Sequence, residues 1–235
     1  MIGNLSWCAR VIRGGQTFTR NLINLLSHVK QAFHFVRLNS AAKSDISWWS
    51  HCLEIFNGKT PFSVDIPVAS HSFTTDACLV GGAAYFKSDW FHVNWRIDCP
   101  EYADCDINVL ELLTILLAAK RWGKYWSGLH ILVRSDNMSA VASINRTTSR
   151  SGPLLLLVKE LFWLSVLYDF KLTASHIPGK LNTLSDKLSR LHNFEDAVDA
   201  RILLVGKEVI VLCASHLSYA TYVYLQEMWC LRWQH

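Results

Sequence analysis

Residues 131–137 read ILVRSDN: three apolar residues of the kind that fill a buried strand, then Arg134, Ser135, Asp136 and Asn137. Such a run belongs in a protein core, yet it ends on a carboxylate whose nearest cation in sequence is Arg134. The carboxyl end of a core strand is where open α/β sheets place their ligands. The surroundings of Asp136 therefore bear on fold and function together.

Upstream, HSFTTDACLV from residue 71 reads as a strand turned by Gly81-Gly82. AAYFKSDWFHVNW continues as one or two antiparallel strands, and DINVLELLTILLAAKRWG is a long helix closed by Gly123. Downstream come a short helix (MSAVASINR), a buried helix (GPLLLLVKELFWLSVLYDF), a strand (KLTASHI) and a last helix (NTLSDKLSRL). A meander followed by strand-helix-strand alternation predicts an α/β fold with a mixed sheet and helices packed on its faces. Residues 17–36 and 41–56 have helical apolar spacing, and Gly58, Pro61 and Pro67 mark a linker, with a boundary near 60–70. Residues 209–226, VIVLCASHLSYATYVYLQ, carry a histidine, two serines, a threonine and three tyrosines, which is too polar for a membrane span and reads as strand plus helix.

The chain has 235 residues, of which 51% are hydrophobic, enough for a sizeable core. Ten tryptophans and a mean hydropathy of +0.16 suggest apolar surface that meets another domain or a partner. MIGNLSWCARVIRGG lacks the continuous apolar stretch of a secretory signal, so an intracellular setting, cytoplasmic or nuclear, is expected. The seven cysteines form no CxxC pair and no zinc-ligand spacing, and read as buried free thiols. Of the net charge of +4, residues 1–60 carry seven cations against Asp45 and Glu54, a balance of 7 − 2 = +5. The alternatives there are a solvated helical face and a surface that tracks a polyanion.

Four acids stand out. Asp76 interrupts an apolar strand, and Glu111 is set among leucines. Asp136 ends the core strand, and Asp186 lies in the last helix. Each has a plain structural reading: a strand edge for Asp76, a favourable helix dipole for Glu111, a helix cap for Asp136 and a surface position for Asp186. Taken together, three unpaired carboxylates in apolar contexts are costly and call for a cation. Oxygen ligands without a cysteine or histidine cluster point to Mg²⁺ or Mn²⁺.

The order TTDA (Asp76), LELLTILLAA (Glu111), RSDN (Asp136) and HIPGKLNTLSDKLSR (Asp186) resembles the four-acid signature of type 1 ribonuclease H, in the version fused to retroelement reverse transcriptases. VLELLTILLA, HIPGKLNTLSDKLSR and FNGKTPF are most similar to DIRS-type, tyrosine-recombinase retrotransposons. The resemblance implies a ribonuclease H-like five-stranded mixed sheet with helices on both faces over residues 67–192. It makes residues 1–66 a small, mainly helical thumb- or connection-like region, and leaves 193–235 as an extension of unread structure. The polymerase pattern YxDD is missing, since YADC at 102–105 replaces the second acid with Cys105, so a polymerase domain would have to be a partner. The stretch between Asp136 and Asp186 has room for two helices and a strand, which leaves out the family's basic handle helix.

By the same resemblance, Asp76, Glu111, Asp136 and Asp186 hold two divalent ions, and the substrate is the RNA strand of an RNA/DNA hybrid. His176 assists release from a loop, while Asn182, Ser135 and Asn137 contact the substrate. Two other readings are a catalytically silent scaffold of the same fold and a DNA-directed nuclease of the same superfamily. The HxPGxxNxxSD loop favours ribonuclease H over transposases.

Overall fold

The computed structural model describes residues 1–27, 29, 31, 35–58 and 69–203. Five strands, β1 (His71–Ala77), β2 (Gly81–Phe86), β3 (Asp89–Asn94), β4 (His130–Ser135) and β5 (Lys171–His176), form one sheet in the order β3-β2-β1-β4-β5. The meander β1-β2-β3 is antiparallel, and β4 and β5 join β1 in parallel. Helices cover both faces, so the architecture is the expected α/β mixed sheet, consistent with a ribonuclease H-like fold.

Among the helices are α1 (Ile2–Cys8), α2 (Arg20–Leu26), α3 (Ser40–Ile55), a short α4 (Trp95–Asp98) and α5 (Ile107–Trp122). They continue with α6 (Met138–Asn145), α7 (Gly152–Leu167), α8 (Thr183–Ser189) and α9 (Phe194–Leu203). Helix α5 is nearly all buried because its leucines face both the sheet and α7. Gly82 permits its close approach: a Cβ there would lie 2.4 Å from Thr114 Oγ1 and 2.5 Å from Trp95 Cζ2. On the other face, α8 and α9 pack Leu188 and Ala200 against Ala83 and Trp90. As the sequence predicted, α6, α7 and β5 are the elements between Asp136 and Asp186.

The amino-terminal helices are not a separate lobe. Phe18, Trp48 and Trp49 pack with Phe162 and Trp163 of α7 in one cluster, and Phe18 stacks on Trp48 at 4.3 Å between centroids. Inside this cluster the Lys159 ammonium is paired with the fully buried Asp45 carboxylate and lies 4.9 Å from the Phe18 ring centroid. Asp45 Oδ2 also accepts from the Asn21 N–H at 3.3 Å. Three of the ten tryptophans, Trp48, Trp49 and Trp163, are buried inside this contact.

The helix expected over 17–36 is shorter, a 3-10 turn at Thr17–Thr19 followed by α2. It ends where the Ser27 hydroxyl donates to the Asn24 carbonyl and competes with the helical pattern. Most of the boundary near 60–70 and the strand and helix expected over 209–226 lie outside the described residues. The segment after 193, unread in sequence, begins with α9. No helix among the described residues is long and apolar enough to cross a membrane. Cys8, Cys52, Cys78, Cys99 and Cys105 are free thiols, of which Cys52 and Cys99 are buried as expected and the other three only partly so.

Candidate metal centre

β1 is the central strand of the sheet, so Asp76 near its carboxyl end is not at a strand edge. β4 runs parallel beside it, and Asp136 follows its last residue. Glu111 reaches the same place from the second turn of α5, which puts it past the reach of a simple macrodipole account. Asp136 is not a cap either: Asn137 caps α6, its side chain accepting from the Ala140 N–H at 2.9 Å. Carboxylate oxygens of Asp76, Glu111 and Asp136 all lie within 4.8 Å of one another. Three of the four plain readings thus fail, and these acids meet at the carboxyl ends of two parallel strands.

Electrostatics follow from that crowding. Burial, more than any neighbour, pushes the Glu111 carboxyl up to about 9, and the nearby Asp76 and Asp136 add to it. The Ala77 N–H, 3.3 Å from Glu111 Oε1, and the Ser135 hydroxyl pull the other way with less effect. Burial likewise raises Asp76 to about 6, against a hydrogen bond from Ser189 and with help from Asp136 and Asp186. Arg134 does not relieve the charge: it is exposed on β4 and enters no ion pair among the described residues. Glu111 Oε2 is buried without a hydrogen-bond partner. An orphaned carboxylate oxygen facing two further carboxylates, all hard oxygen donors, fits a divalent cation. This buried triad could hold a metal ion.

Asp186 is near but differently engaged. Its charge reaches Asp76, while its own carboxylate is paired with Arg190 at 2.7 Å, one helical turn on. His176 is exposed at the end of β5, where it pairs in register with Ser135. The loop that follows it returns to the acids, because a Cβ on Gly179 would sit 3.1 Å from Asp136 Oδ2.

The residues expected to touch substrate are mostly consumed by the site itself. Ser135 is fully buried and its Oγ accepts from the Asn137 N–H at 3.1 Å. Asn182 is 2% exposed and its Nδ2 donates to the Thr75 carbonyl at 2.8 Å, tying the start of α8 to β1 beside Asp76. Asn137, half-buried, donates through Nδ2 to Asn108 Oδ1 at 3.1 Å, bridging the first turns of α6 and α5. These hydrogen bonds tie together elements that surround the acids: β4 to α6, α6 to α5, and α8 to β1.

Ser189 carries no sequence signal beyond its position three residues after Asp186 on the same helix, and sequence reasoning misses it. Its hydroxyl is 2.6 Å from Asp76 Oδ2 and 2.8 Å from the Asp186 carbonyl, two acceptors that share one proton. The carboxyl end of α8 is gripped further, by His92 Nδ1 at 2.8 Å from the Leu188 carbonyl and by the Cys78 thiol at 3.4 Å from the Ser189 carbonyl. A scan against protein-family models and a search of curated proteins found no match to this chain.

Proposed function

We propose that this chain is a metal-dependent endonuclease that hydrolyses the RNA strand of RNA/DNA hybrids, in the manner of a retroelement ribonuclease H. The observation that carries the hydrolytic part is the convergence of Asp76, Glu111 and Asp136 at the carboxyl ends of β1 and β4, with Glu111 Oε2 left unpartnered. The hybrid as substrate is supported by the resemblance alone, through the sequence order of the four acids and the HIPGKLNTLSD loop.

Asp76, Glu111 and Asp136 would hold divalent cations, Mg²⁺ or Mn²⁺, with Asp186 joining them once it lets go of Arg190. Such ions, two in this reading, would supply activation of water for in-line attack on phosphorus and stabilisation of the leaving 3′-oxygen. Within the chain, Ser189 fixes the Oδ2 of Asp76 and the Ala77 N–H fixes Oε1 of Glu111. Both side chains are thereby set before a ligand arrives. Asn182 sets the start of α8 against β1 and so places Asp186. His176 is exposed at the end of β5, where the loop begins that reaches Asp136 through Gly179, a position suited to assisting product departure. A hybrid would be told from duplex DNA by its 2′-hydroxyls. In the parent element, a polymerase domain would deliver it.

The test is cleavage of a uniformly labelled RNA/DNA hybrid with Mg²⁺, run beside single-stranded RNA and duplex DNA. Hybrid-specific cleavage is the expected result. Cutting of duplex DNA would assign the fold to a DNA-directed nuclease, and no cutting of any of the three would leave a silent scaffold.

A further inference from the structure

Residues 1–44 contain no aspartate or glutamate, and neither do residues 137–159. The first acid of the chain, Asp45, is buried against Lys159 and contributes nothing to the surface. The two acid-free stretches are far apart in sequence but are joined in the fold. Thr17 Oγ1 donates to the Thr147 carbonyl at 2.5 Å, and Arg20 Nε donates to Thr148 Oγ1 at 3.1 Å. The loop so held, residues 146–151, carries Arg146 and Arg150, both exposed. Thr147, with φ of 49°, turns that loop away from the end of α6. Arg20 gives one of its five N–H donors to Thr148 and makes no other hydrogen bond or ion pair among the described residues, which leaves donors for another acceptor.

Position gives this cationic surface a partner. Helix α6 starts directly after Asp136 and Asn137 and ends at Asn145, so its eight residues set Arg146 about 12 Å along the helix from the acids. Each strand of a duplex offers a phosphate about every 3.4 Å of axis, so a backbone that passes the acids reaches Arg146 within three or four nucleotides. Resting on the nuclease reading above, we propose that Arg20, Arg146 and Arg150 form one surface that grips the phosphate backbone of the bound nucleic acid beside the cleavage site. The amino-terminal helices are then part of the substrate interface, locked to the sheet domain by the contacts that build it.

The grip is read by fluorescence anisotropy of a labelled RNA/DNA hybrid with the full chain in EDTA, where no cleavage occurs, between 50 and 200 mM KCl. Removing one cation that neutralises a phosphate lowers the slope of log affinity against log salt by about one. The Arg146→Glu/Arg150→Glu protein should therefore show a slope lower by about two, and its fall in affinity across this range should be roughly tenfold smaller than that of the unmodified protein. Arg146→Gln/Arg150→Gln should change the slope equally, and Lys124→Glu, an exposed site past the far end of α5 from Glu111, should change it little. Slopes parallel to that of the unmodified protein, or equal flattening by Lys124→Glu, overturn the proposal. Mg²⁺-dependent cleavage by the unmodified protein with parallel slopes sinks the surface alone, whereas a protein that neither binds nor cuts the hybrid sinks the nuclease reading with it.

Discussion

Glu111 is neutral at pH 7 in the metal-free chain, since burial holds its carboxyl near 9. In the unfolded chain it titrates near 4.5. Between those values the native state binds a proton that the unfolded state has lost, so stability falls as pH rises from about 4.5 to about 9. Asp76 adds the same sign over about 3.8 to 6. Glu111→Gln should flatten the decline above pH 6, and thermal melts from pH 5 to 9 in EDTA will show it. On the proposed reading Mg²⁺ would bind the ionised carboxylates, so it should stabilise the original protein most at the alkaline end and the variant less. Parallel pH profiles in EDTA would mean that Glu111 is not the buried, crowded acid described above. The acids are legible in sequence because carboxylates in apolar surroundings are conspicuous. Ser189 is not, because a serine in a helix announces no partner, and the 113 positions separating it from Asp76 are bridged only by the fold.

At the scale of elements, the strands and helices of the sheet domain follow from alternation, length and turn residues, and β1, β4, α5 and α7 stand where these put them. The amino-terminal packing is hidden for a different reason. Lys159 is the one cation of α7 and looks like an interruption of its apolar face; its partner Asp45 comes from α3, 114 positions away. Removing one partner strands the other charge in an apolar cluster. Lys159→Met should cost about 3–5 kcal/mol, while Asp45→Asn/Lys159→Met, which leaves no buried charge and keeps an acceptor for the Asn21 N–H, should recover most of it. Urea denaturation of the singles and the double measures the coupling. An additive double would show that the pair does not join the two elements. The same cluster argues against treating residues 1–58 as dispensable, since their deletion would expose Phe162 and Trp163 and leave Lys159 unpaired.

For the molecule as a whole, one sheet collects three acids at the carboxyl ends of its parallel strands, and the amino-terminal helices brace α7 behind it. A single substitution separates architecture from chemistry. Asp136 is half-buried, follows β4 without capping α6, and shares its surroundings with two other carboxylates. Asp136→Asn removes one like charge from that cluster, so the metal-free protein should melt no lower than the original. On the proposed reading the substitution also takes away a metal ligand, which would remove several kcal/mol of transition-state stabilisation, and each 1.4 kcal/mol is about tenfold in rate. The decisive measurement is single-turnover cleavage of an RNA/DNA hybrid in Mg²⁺ by the original protein and by Asp136→Asn, with melting temperatures taken on the same samples. The original protein should cleave, and a variant that is equally or more stable should be slower by at least about a thousandfold. Undiminished cleavage by a folded Asp136→Asn protein would mean that these acids do not form the catalytic metal site.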